Sequence, residues 1–307
     1  MKNKNKNPFF FLRRFFSISR IFLVPAFILL MIFMFYPIVA TVYTSFFSDR
    51  TGNFVGLENY DSVLFQGVYP LINVPNLLKL TPPLGGLINN FIWIAIHLPV
   101  VVLSGMFLAV LLRDVKGGTI IKSIVFLGVV IPLVVGGVLF RFIYDKDAGV
   151  ANAFLSLIGL GDLTRTWYAF ADTALLSIIL GSIWIWTGFG MIVYSAGLQG
   201  IPVELYEAAE IDGASRWKTF WRITVPMLRS TTIVVVTMTV LWELKIFDIV
   251  YVVTRGGPGG ASDVLAYEMW STAFFGRNFA EGAAIAVILT LMTIGFAAYM
   301  VSRMSKT

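Results

Sequence analysis

The sequence predicts an all-α polytopic membrane protein, because it is too apolar to fold in water and its apolar residues form long runs. Hydrophobic residues make up 58% of the 307-residue chain and charged residues 13%, and the mean hydropathy is +0.83. A soluble domain carries about 25% charged residues. Runs close to the ~20 residues that cross a bilayer predict six transmembrane helices at residues 21–46, 90–112, 119–144, 173–198, 230–253 and 280–300.

The basic residues predict the orientation of these six helices. They are concentrated in the N-terminal tail (1–20), between the second and third helices, in segment 199–229 and around the C-terminal tail (304–307). Lys and Arg are enriched in cytoplasmic segments, so both termini and segment 199–229 are predicted to be cytoplasmic. Residues 21–303 then form one transmembrane domain. The net charge of +6 follows from this topology, and we expect no nucleic-acid partner.

Segment 199–229 is predicted to fold into two short cytoplasmic helices. Pro202 suits the first turn of a helix and Gly213 suits the left-handed position that ends one, so the first helix would run to about Ile211. Ser215 is a suitable N-cap for a second helix that continues toward the end of the segment.

Each of the two helices has a distinct predicted face. The first carries an acidic row at spacings of three residues with two small residues beside it, namely Glu204, Glu207, Glu210, Ala208 and Ala209. The second carries an apolar face at helical spacing against the membrane or the bundle, namely Trp217, Phe220, Trp221 and Thr224. Such a pair is suited to docking another protein, and a solvated loop with an interfacial anchor is the alternative.

The residue spacing within this segment matches a known signature. Glu207-Ala208-Ala209 is followed by Gly213 and then by Ile223-Thr224-Val225-Pro226. In this register the chain resembles the permease subunits of binding-protein-dependent ABC importers, with Val225 where leucine is usual. Two further segments, Leu198-Gln199-Gly200-Ile201-Pro202 and Gly256-Gly257-Pro258, are similar to the carbohydrate-uptake branch, in its maltose, glycerol-phosphate and lactose type of first permease.

This resemblance implies the type I ABC importer permease fold, in which segment 199–229 is the coupling segment that docks on an ATPase subunit. The docking residues that it implies are Glu204, Glu207, Ala208, Ala209, Glu210, Asp212, Gly213, Ala214, Ile223 and Pro226. The implied partners are a second permease subunit in a heterodimer, two ATPase subunits, an extracytoplasmic substrate-binding protein and the lipid bilayer. The implied location is the cytoplasmic (inner) membrane of a prokaryote.

ATP chemistry is expected on the partner subunits. The sequence contains no GxxxxGK[ST] motif, and the glycine-rich run at 256–260 lacks the Lys-Ser/Thr that such a motif requires. ATP and Mg²⁺ would therefore bind the ATPase subunits. The chain has no cysteine, and its one histidine, His97, has no evident metal partners and is interpreted as a packed bundle residue. We expect no metal, no cofactor and no enzymatic activity of its own.

Polar and aromatic residues inside the predicted helices are candidates for a substrate pathway. An intramembrane charge costs about 2.5–3.5 kcal/mol, so Glu243 of the fifth helix should face protein or a water-filled cavity. Lys245 and Asp248 are three residues apart and could neutralise each other. The candidate pathway residues are Asn90, Trp184, Trp186, Phe189, Glu243 and Phe247. Packing is the alternative role for the aromatic residues, and helix capping is the alternative for Asn90.

The favoured function is that of a permease subunit that forms half of the pathway for a sugar or related polyol in an ATP-driven importer. One alternative is an ABC permease for a non-carbohydrate solute, since the docking signature carries no information about the cargo. A second alternative is an ion-coupled secondary transporter that uses Glu243, Lys245 and Asp248 as relay groups. That alternative leaves segment 199–229 without a role.

Overall fold

The computed structural model describes residues 22–304, and in this range the only β-structure is an isolated antiparallel bridge between Phe47 and Phe54. The predicted tail 1–20 and residues 305–307 of the C-terminal tail lie outside the described residues. In chain order the principal helices are α1 (Val24–Thr44), α2 (Gly86–Leu111), α3 (Gly118–Val130), α4 (Leu133–Ile143), α5 (Ala174–Gln199), α6 (Val203–Ile211), α7 (Arg216–Met227), α8 (Arg229–Leu244), α9 (Asp248–Val253), α10 (Leu265–Trp270) and α11 (Phe279–Met304).

Shorter helical turns lie in the connecting segments. They are Glu58–Asp61, Ser62–Gln66, Val74–Lys79, Val150–Leu157, Gly161–Leu163, Trp167–Ala169 and Ser271–Phe275. Two of the principal helices also contain a π-helical stretch, at Met31–Phe35 in α1 and at Phe220–Thr224 in α7.

Four of the predicted transmembrane helices are present as continuous helices. The helices α1, α2, α5 and α11 are each long and apolar enough to cross a bilayer. The α2 helix begins at Gly86, four residues before the predicted start, so Asn90 lies inside the helix instead of capping it.

The predicted third helix, residues 119–144, is divided into α3 and α4, which meet at an angle of 103°. The break falls at Ile131 and Pro132, which both have extended backbone. Proline disfavours helical backbone at the residue before it, and its missing N–H removes a helical hydrogen bond. The predicted third helix is therefore two helices joined by a sharp turn, and together they are long and apolar enough for one span.

The predicted fifth helix, residues 230–253, is also not continuous. The α8 helix ends at Leu244, residues 245–247 are not helical, and α9 begins at Asp248. No ion pair joins Lys245 to Asp248 within residues 22–304, and Lys245 is exposed. The predicted neutralising pair was wrong, because it required the two residues to share one continuous helix.

Helices α2 and α5 form the centre of the bundle. A Cβ added at Gly105 of α2 would lie 3.0 Å from the carbonyl carbon of Gly190 in α5. Small residues at such a contact allow two helix backbones to approach closely. In contrast, no residue of Val24–Phe35 in α1 is buried. An apolar surface of this kind is a contact surface for lipid or for another subunit.

Candidate functional site

Helices α6 and α7 form a helical hairpin, and its turn is fixed by backbone hydrogen bonds. Gly213 has φ +68°, and its N–H donates to the Glu210 carbonyl at 3.0 Å. The N–H of Ala214 donates to the Ala209 carbonyl at 2.9 Å, which completes the helix-ending pattern that glycine favours. The Ser215 hydroxyl then accepts from the Lys218 N–H at 3.3 Å, as expected of an N-cap.

The start of α6 differs slightly from the prediction. Pro202 has extended backbone and lies immediately before the helix, which begins at Val203. Its fixed φ still suits this position, since no helical hydrogen bond is required of the N–H at the start of a helix.

The predicted docking residues divide between an exposed surface and the interior. The exposed ones are Glu204, Glu207, Ala208, Glu210, Asp212, Gly213 and Pro226. Ile211, at the tip of the hairpin, is 86% exposed although it is apolar. Ala214 and Ile223 are half-buried, and Ala209 is buried. Ala209 therefore packs within the chain and cannot form part of the exposed surface.

The apolar face predicted for α7 is divided in the same way. Thr224 is buried and Phe220 is half-buried, whereas Trp217 is 69% exposed and Trp221 is 48% exposed. The π-helical stretch Phe220–Thr224 changes the number of residues per turn, so the 3.6-residue pattern does not hold along the whole helix.

Tyr206 attaches the hairpin to the bundle and was missed by the sequence reasoning. Its hydroxyl lies 3.2 Å from the Thr224 hydroxyl of α7, and the Arg113 guanidinium lies 4.7 Å from the centre of its ring. Arg113 follows the end of α2, so Tyr206 connects three parts of the chain. The sequence showed Arg113 only as one of several cytoplasmic charges, because its partner is distant in sequence.

A second group of functional candidates surrounds Glu243 in the interior of the bundle. The His97 Nδ1 and Glu243 Oε1 atoms are 2.6 Å apart, and both side chains are fully buried. Aromatic rings surround this pair, with the Trp242 centroid 5.7 Å from His97 and 4.7 Å from Trp186. We call His97, Glu243, Trp93, Trp186 and Trp242 the inner cluster.

The inner cluster was only partly predicted. Glu243 and Trp186 were candidates from the sequence, and Phe189 adjoins them with its ring 5.3 Å from that of Trp186. His97 is a packed bundle residue as predicted, but the sequence did not show that it is the partner of Glu243. The two are 146 residues apart in the chain, and no local pattern connects them.

The remaining pathway candidates lie elsewhere. Trp184 is 42% exposed and packs near Gly128 of α3, away from the inner cluster. Phe247 lies in the break after α8 and stacks with Tyr251 at a centroid distance of 5.4 Å. In the described part of the chain, no ring contact joins either residue to the aromatic rings around Glu243.

Asn90 connects the inner cluster to the segment that follows α9. Its side-chain amide donates to the Glu243 carbonyl at 2.8 Å, and its side-chain oxygen accepts from the Leu265 N–H at 2.8 Å. The amide thus donates to a carbonyl group at the end of α8, where the last carbonyl groups lack N–H donors within the helix. Asn90 is fully buried, and both of its polar atoms are used in this connection.

Several polar atoms of the inner cluster have no hydrogen-bond partner within residues 22–304. They are Glu243 Oε2, His97 Nε2, Trp93 Nε1 and Trp186 Nε1. A buried polar group without a partner costs about 1–3 kcal/mol, and such groups accumulate where a ligand or water binds. In the described part of the chain, no group of three or more His, Cys, Asp or Glu side chains could hold a metal ion.

Comparison with known proteins identifies the family. The family model of the binding-protein-dependent transport system inner membrane component matches residues 101–305, two thirds of the chain. The chain belongs to this family. It is therefore a membrane-embedded permease component of an ABC transporter.

Individual relatives agree with this assignment. The permease is 50% identical to a probable ABC transporter permease protein of Pyrococcus horikoshii, over 98% of this chain and 99% of the relative. It is 37% identical to an osmoprotective compounds uptake permease protein of Synechocystis, over 89% of this chain and 94% of the relative. It is 35% identical to an alpha-glucoside transport system permease protein of Rhizobium meliloti, over 89% and 78% respectively.

The fold also matches that of a solved transporter. A bacterial ABC transporter involved in the import of the acidic polysaccharide alginate superposes with a TM-score of 0.78, covering 96% of this chain and 97% of the other, at 20% identity. The permease therefore has the ABC importer fold that the resemblance implied.

Proposed function

We propose that the permease forms half of the translocation pathway for a sugar or related polyol and docks on a separate ATPase through the α6–α7 hairpin. The observation that carries this proposal is the exposed hairpin, because its tip combines the Glu-Ala-Ala register with an apolar residue, Ile211, that the chain itself leaves uncovered. An exposed apolar residue surrounded by charges is typical of a protein contact.

The hairpin is well placed to transmit motion to the inner cluster. Helix α7 continues into α8 through a 68° bend at Leu228. The α8 helix has 16 residues and ends at Leu244, so it is about 24 Å long at 1.5 Å per residue and can transmit a displacement over that distance. Glu243 and Trp242 lie at its far end. Closure of the ATPase subunits would thus tilt α8 and rearrange the inner cluster, which is a rigid-body mechanism of switching.

The chemistry of the inner cluster suits a sugar. The ring faces of Trp186 and Trp242 would pack against the apolar C–H groups of a sugar, and the carboxyl group of Glu243 would accept hydrogen bonds from its hydroxyl groups. Ligand sites combine a mostly aromatic lining with a few placed polar groups. The Rhizobium relative named for alpha-glucoside transport supports the same substrate class.

The complete importer would contain further subunits. We infer a second permease subunit in a heterodimer, two ATPase subunits that bind ATP and Mg²⁺, and an extracytoplasmic binding protein that delivers the substrate. The permease would lie in the cytoplasmic membrane of a prokaryote with both termini in the cytoplasm, and ATP hydrolysis would take place on the ATPase subunits.

The docking role is tested by substituting Gly213→Asp, with Gly159→Asp as the matched control. Both glycines have positive φ (+68° and +81°), and a Cβ at either position would meet nothing within 4 Å. Asp tolerates this backbone better than most residues, so folding should be equally affected. Gly159 lies outside the hairpin, between α4 and α5. In proteoliposomes with the ATPase, we expect Gly213→Asp to lower ATP-driven uptake at least tenfold and Gly159→Asp to leave it unchanged. Equal uptake in the two variants would contradict docking.

The alternative functions give different results in the same proteoliposomes. A secondary transporter would require an ion gradient and no ATPase. The Synechocystis relative is named for the uptake of osmoprotective compounds, a class that includes both carbohydrates and other solutes. Calorimetric titration of the binding protein with sugars, polyols and betaines distinguishes the cargo.

A further inference from the structure

A cavity lies outside the inner cluster, along the segment between α9 and α11. Its volume is about 550 Å³, within the range of small-molecule sites. The residues that define it are Tyr251, Tyr267, Trp270, Asp263, Glu268 and Gly256. None of them was a candidate from the sequence. We call this cavity the outer pocket.

One side of the outer pocket is aromatic. The Trp270 ring lies 5.2 Å from Tyr251 and 6.1 Å from Tyr267, measured between centroids. Phe247 packs edge-on against Trp270, with 5.8 Å between the ring centroids. The three lining rings are half-buried, so each has a partly exposed surface against which a flat apolar group can pack.

The outer pocket is also lined by two buried carboxyl groups. Asp263 is 5% exposed and Glu268 is 8% exposed, yet Asp263 Oδ1 has no hydrogen-bond partner within residues 22–304. The Thr272 hydroxyl donates to Glu268 Oε1 at 3.3 Å, which leaves acceptor capacity on Glu268. A buried polar atom that faces a cavity and lacks a partner indicates a ligand or ordered water at that position.

Burial changes the protonation of these two carboxyl groups. Burial, together with the neighbouring Glu268 charge, raises the pKa of Asp263 to about 9. Burial also raises the pKa of Glu268. Near neutral pH, Asp263 is therefore protonated, and its side chain forms a hydrogen bond with Glu268. Asp263 Oδ1 has no partner within residues 22–304 and can accept from a sugar hydroxyl group, so the pair matches a polyhydroxylated ligand.

A glycine keeps the outer pocket open. Gly256 has φ +76°, and a Cβ there would collide with Asp263 Oδ1 and lie 2.7 Å from Tyr267 Cε1. Any larger residue would displace the carboxyl and the ring that face the cavity. The sequence pattern Gly256-Gly257-Pro258 thus has a local structural reason that is separate from the hairpin.

The outer pocket is connected to the inner cluster. Asn90 binds both the Glu243 carbonyl and the Leu265 N–H, and Leu265 lies between Asp263 and Glu268 in the chain. Phe247, which immediately precedes α9, contacts the pocket rings. The outer pocket and the inner cluster are therefore linked through the Asn90 side chain.

We propose that the outer pocket is a carbohydrate-binding site, in which a sugar ring packs on Tyr251, Tyr267 and Trp270 and its hydroxyl groups bind Asp263 and Glu268 before the sugar reaches the inner cluster. This inference rests on the proposed function of the permease as a sugar importer. It adds a binding step at the external end of the pathway.

The test uses the complete importer in proteoliposomes with radiolabelled maltose, an α-glucoside, supplied by the binding protein. Two quantities are measured, namely maltose uptake and the ATPase activity that the loaded binding protein stimulates. We expect Glu268→Gln and Trp270→Ala each to lower uptake about tenfold or more, as for one lost buried hydrogen bond or ring contact, while ATPase stimulation persists. Trp270→Phe should restore most of the uptake. Phe154→Ala, which removes an exposed ring elsewhere, is the control.

Each other result overturns the inference. If uptake and ATPase stimulation fall together, the outer pocket is a docking surface for the binding protein. If uptake of the variants equals that of the unsubstituted permease, no sugar binds there on the way to the inner cluster. If the unsubstituted importer shows no ATP-dependent uptake of maltose or of other labelled sugars, the proposed function itself fails. This failure is distinguishable from failure of the outer-pocket inference, because it is observed without any substitution.

Discussion

The pair of His97 and Glu243 allows a structural role to be separated from a role in transport. The two side chains contact at 2.6 Å and are fully buried. Glu243→Leu leaves His97 without its partner, and His97→Phe leaves the carboxyl group without its partner. Because a buried polar group then lacks a partner, we expect each single substitution to cost about 1–3 kcal/mol of the free energy of unfolding.

The double variant should behave differently. Replacing both partners by apolar side chains of similar size removes the unpartnered group, so stability should return to within about 1 kcal/mol of the original. The hydrogen bond from Asn90 goes to the backbone carbonyl of Glu243 and is kept in all variants. Thermal unfolding of the purified permease in detergent measures the four proteins of this double-mutant cycle.

Uptake measurements complete the experiment. If Glu243 contacts the substrate, the double variant will be stable but will transport at least tenfold more slowly. Additive destabilisation, with the double variant less stable than either single variant, would refute the reasoning that the two groups depend on each other. Full recovery of uptake together with stability would assign the pair to packing.

Two further predictions concern stability and pH. Gly105→Ala should lower the free energy of unfolding by about 1–3 kcal/mol, because its Cβ would lie 3.0 Å from the Gly190 backbone. The control Gly295→Ala has open space around it and should raise the melting temperature slightly. Equal melting temperatures of the two variants would contradict the close packing. The pKa of Asp263 is raised to about 9. The contribution of the protonated Asp263 to stability is therefore fully present below the ordinary carboxyl pKa and is lost as the pH rises through about 9. The melting temperature should thus fall between pH 7 and 10 by more than that of Asp263→Asn, and parallel pH curves would show that the carboxyl ionises freely.

Other titratable and charged groups surround Asp263 and act on its protonation. Glu268 adds negative charge and raises the pKa of Asp263. Tyr267 lies near Asp263, because the Asp263 charge contributes to the raised pKa of Tyr267. Arg255 acts on the pKa of the same tyrosine and therefore also lies nearby. Measuring Glu268→Gln over the same pH range separates the contribution of the neighbouring charge from that of burial.

The sequence predicted those features that depend on neighbouring residues. The four continuous helices follow from their apolar runs, and the hairpin turn follows from Gly213 and Ser215, whose predicted backbone roles are confirmed. Both features are set by local chemistry, namely side-chain hydropathy, the left-handed conformation of glycine and the capping hydroxyl.

The sequence did not predict features that depend on distant contacts. The break after Leu244 contains neither glycine nor proline, and it coincides with burial of Ile246 at 2% exposure. Its cause is tertiary packing together with the amide of Asn90, 153 residues away. The His97 partner of Glu243 and the carboxyl pair of the outer pocket have the same character. The roles of the docking and pathway residues stay predictions until the experiments are done.

The glycine contacts of α5 have a mechanical consequence. Gly190 lies against the α2 backbone, and a Cβ at Gly188 would approach the Val125 carbonyl of α3 at 2.7 Å. These backbones touch without intervening side chains, so the three helices cannot slide past one another at low cost. The polypeptide bends instead at Leu228 and at residues 245–247. One half of the bundle thus serves as a stiff frame, and the other half holds the joints at which a transport cycle can flex.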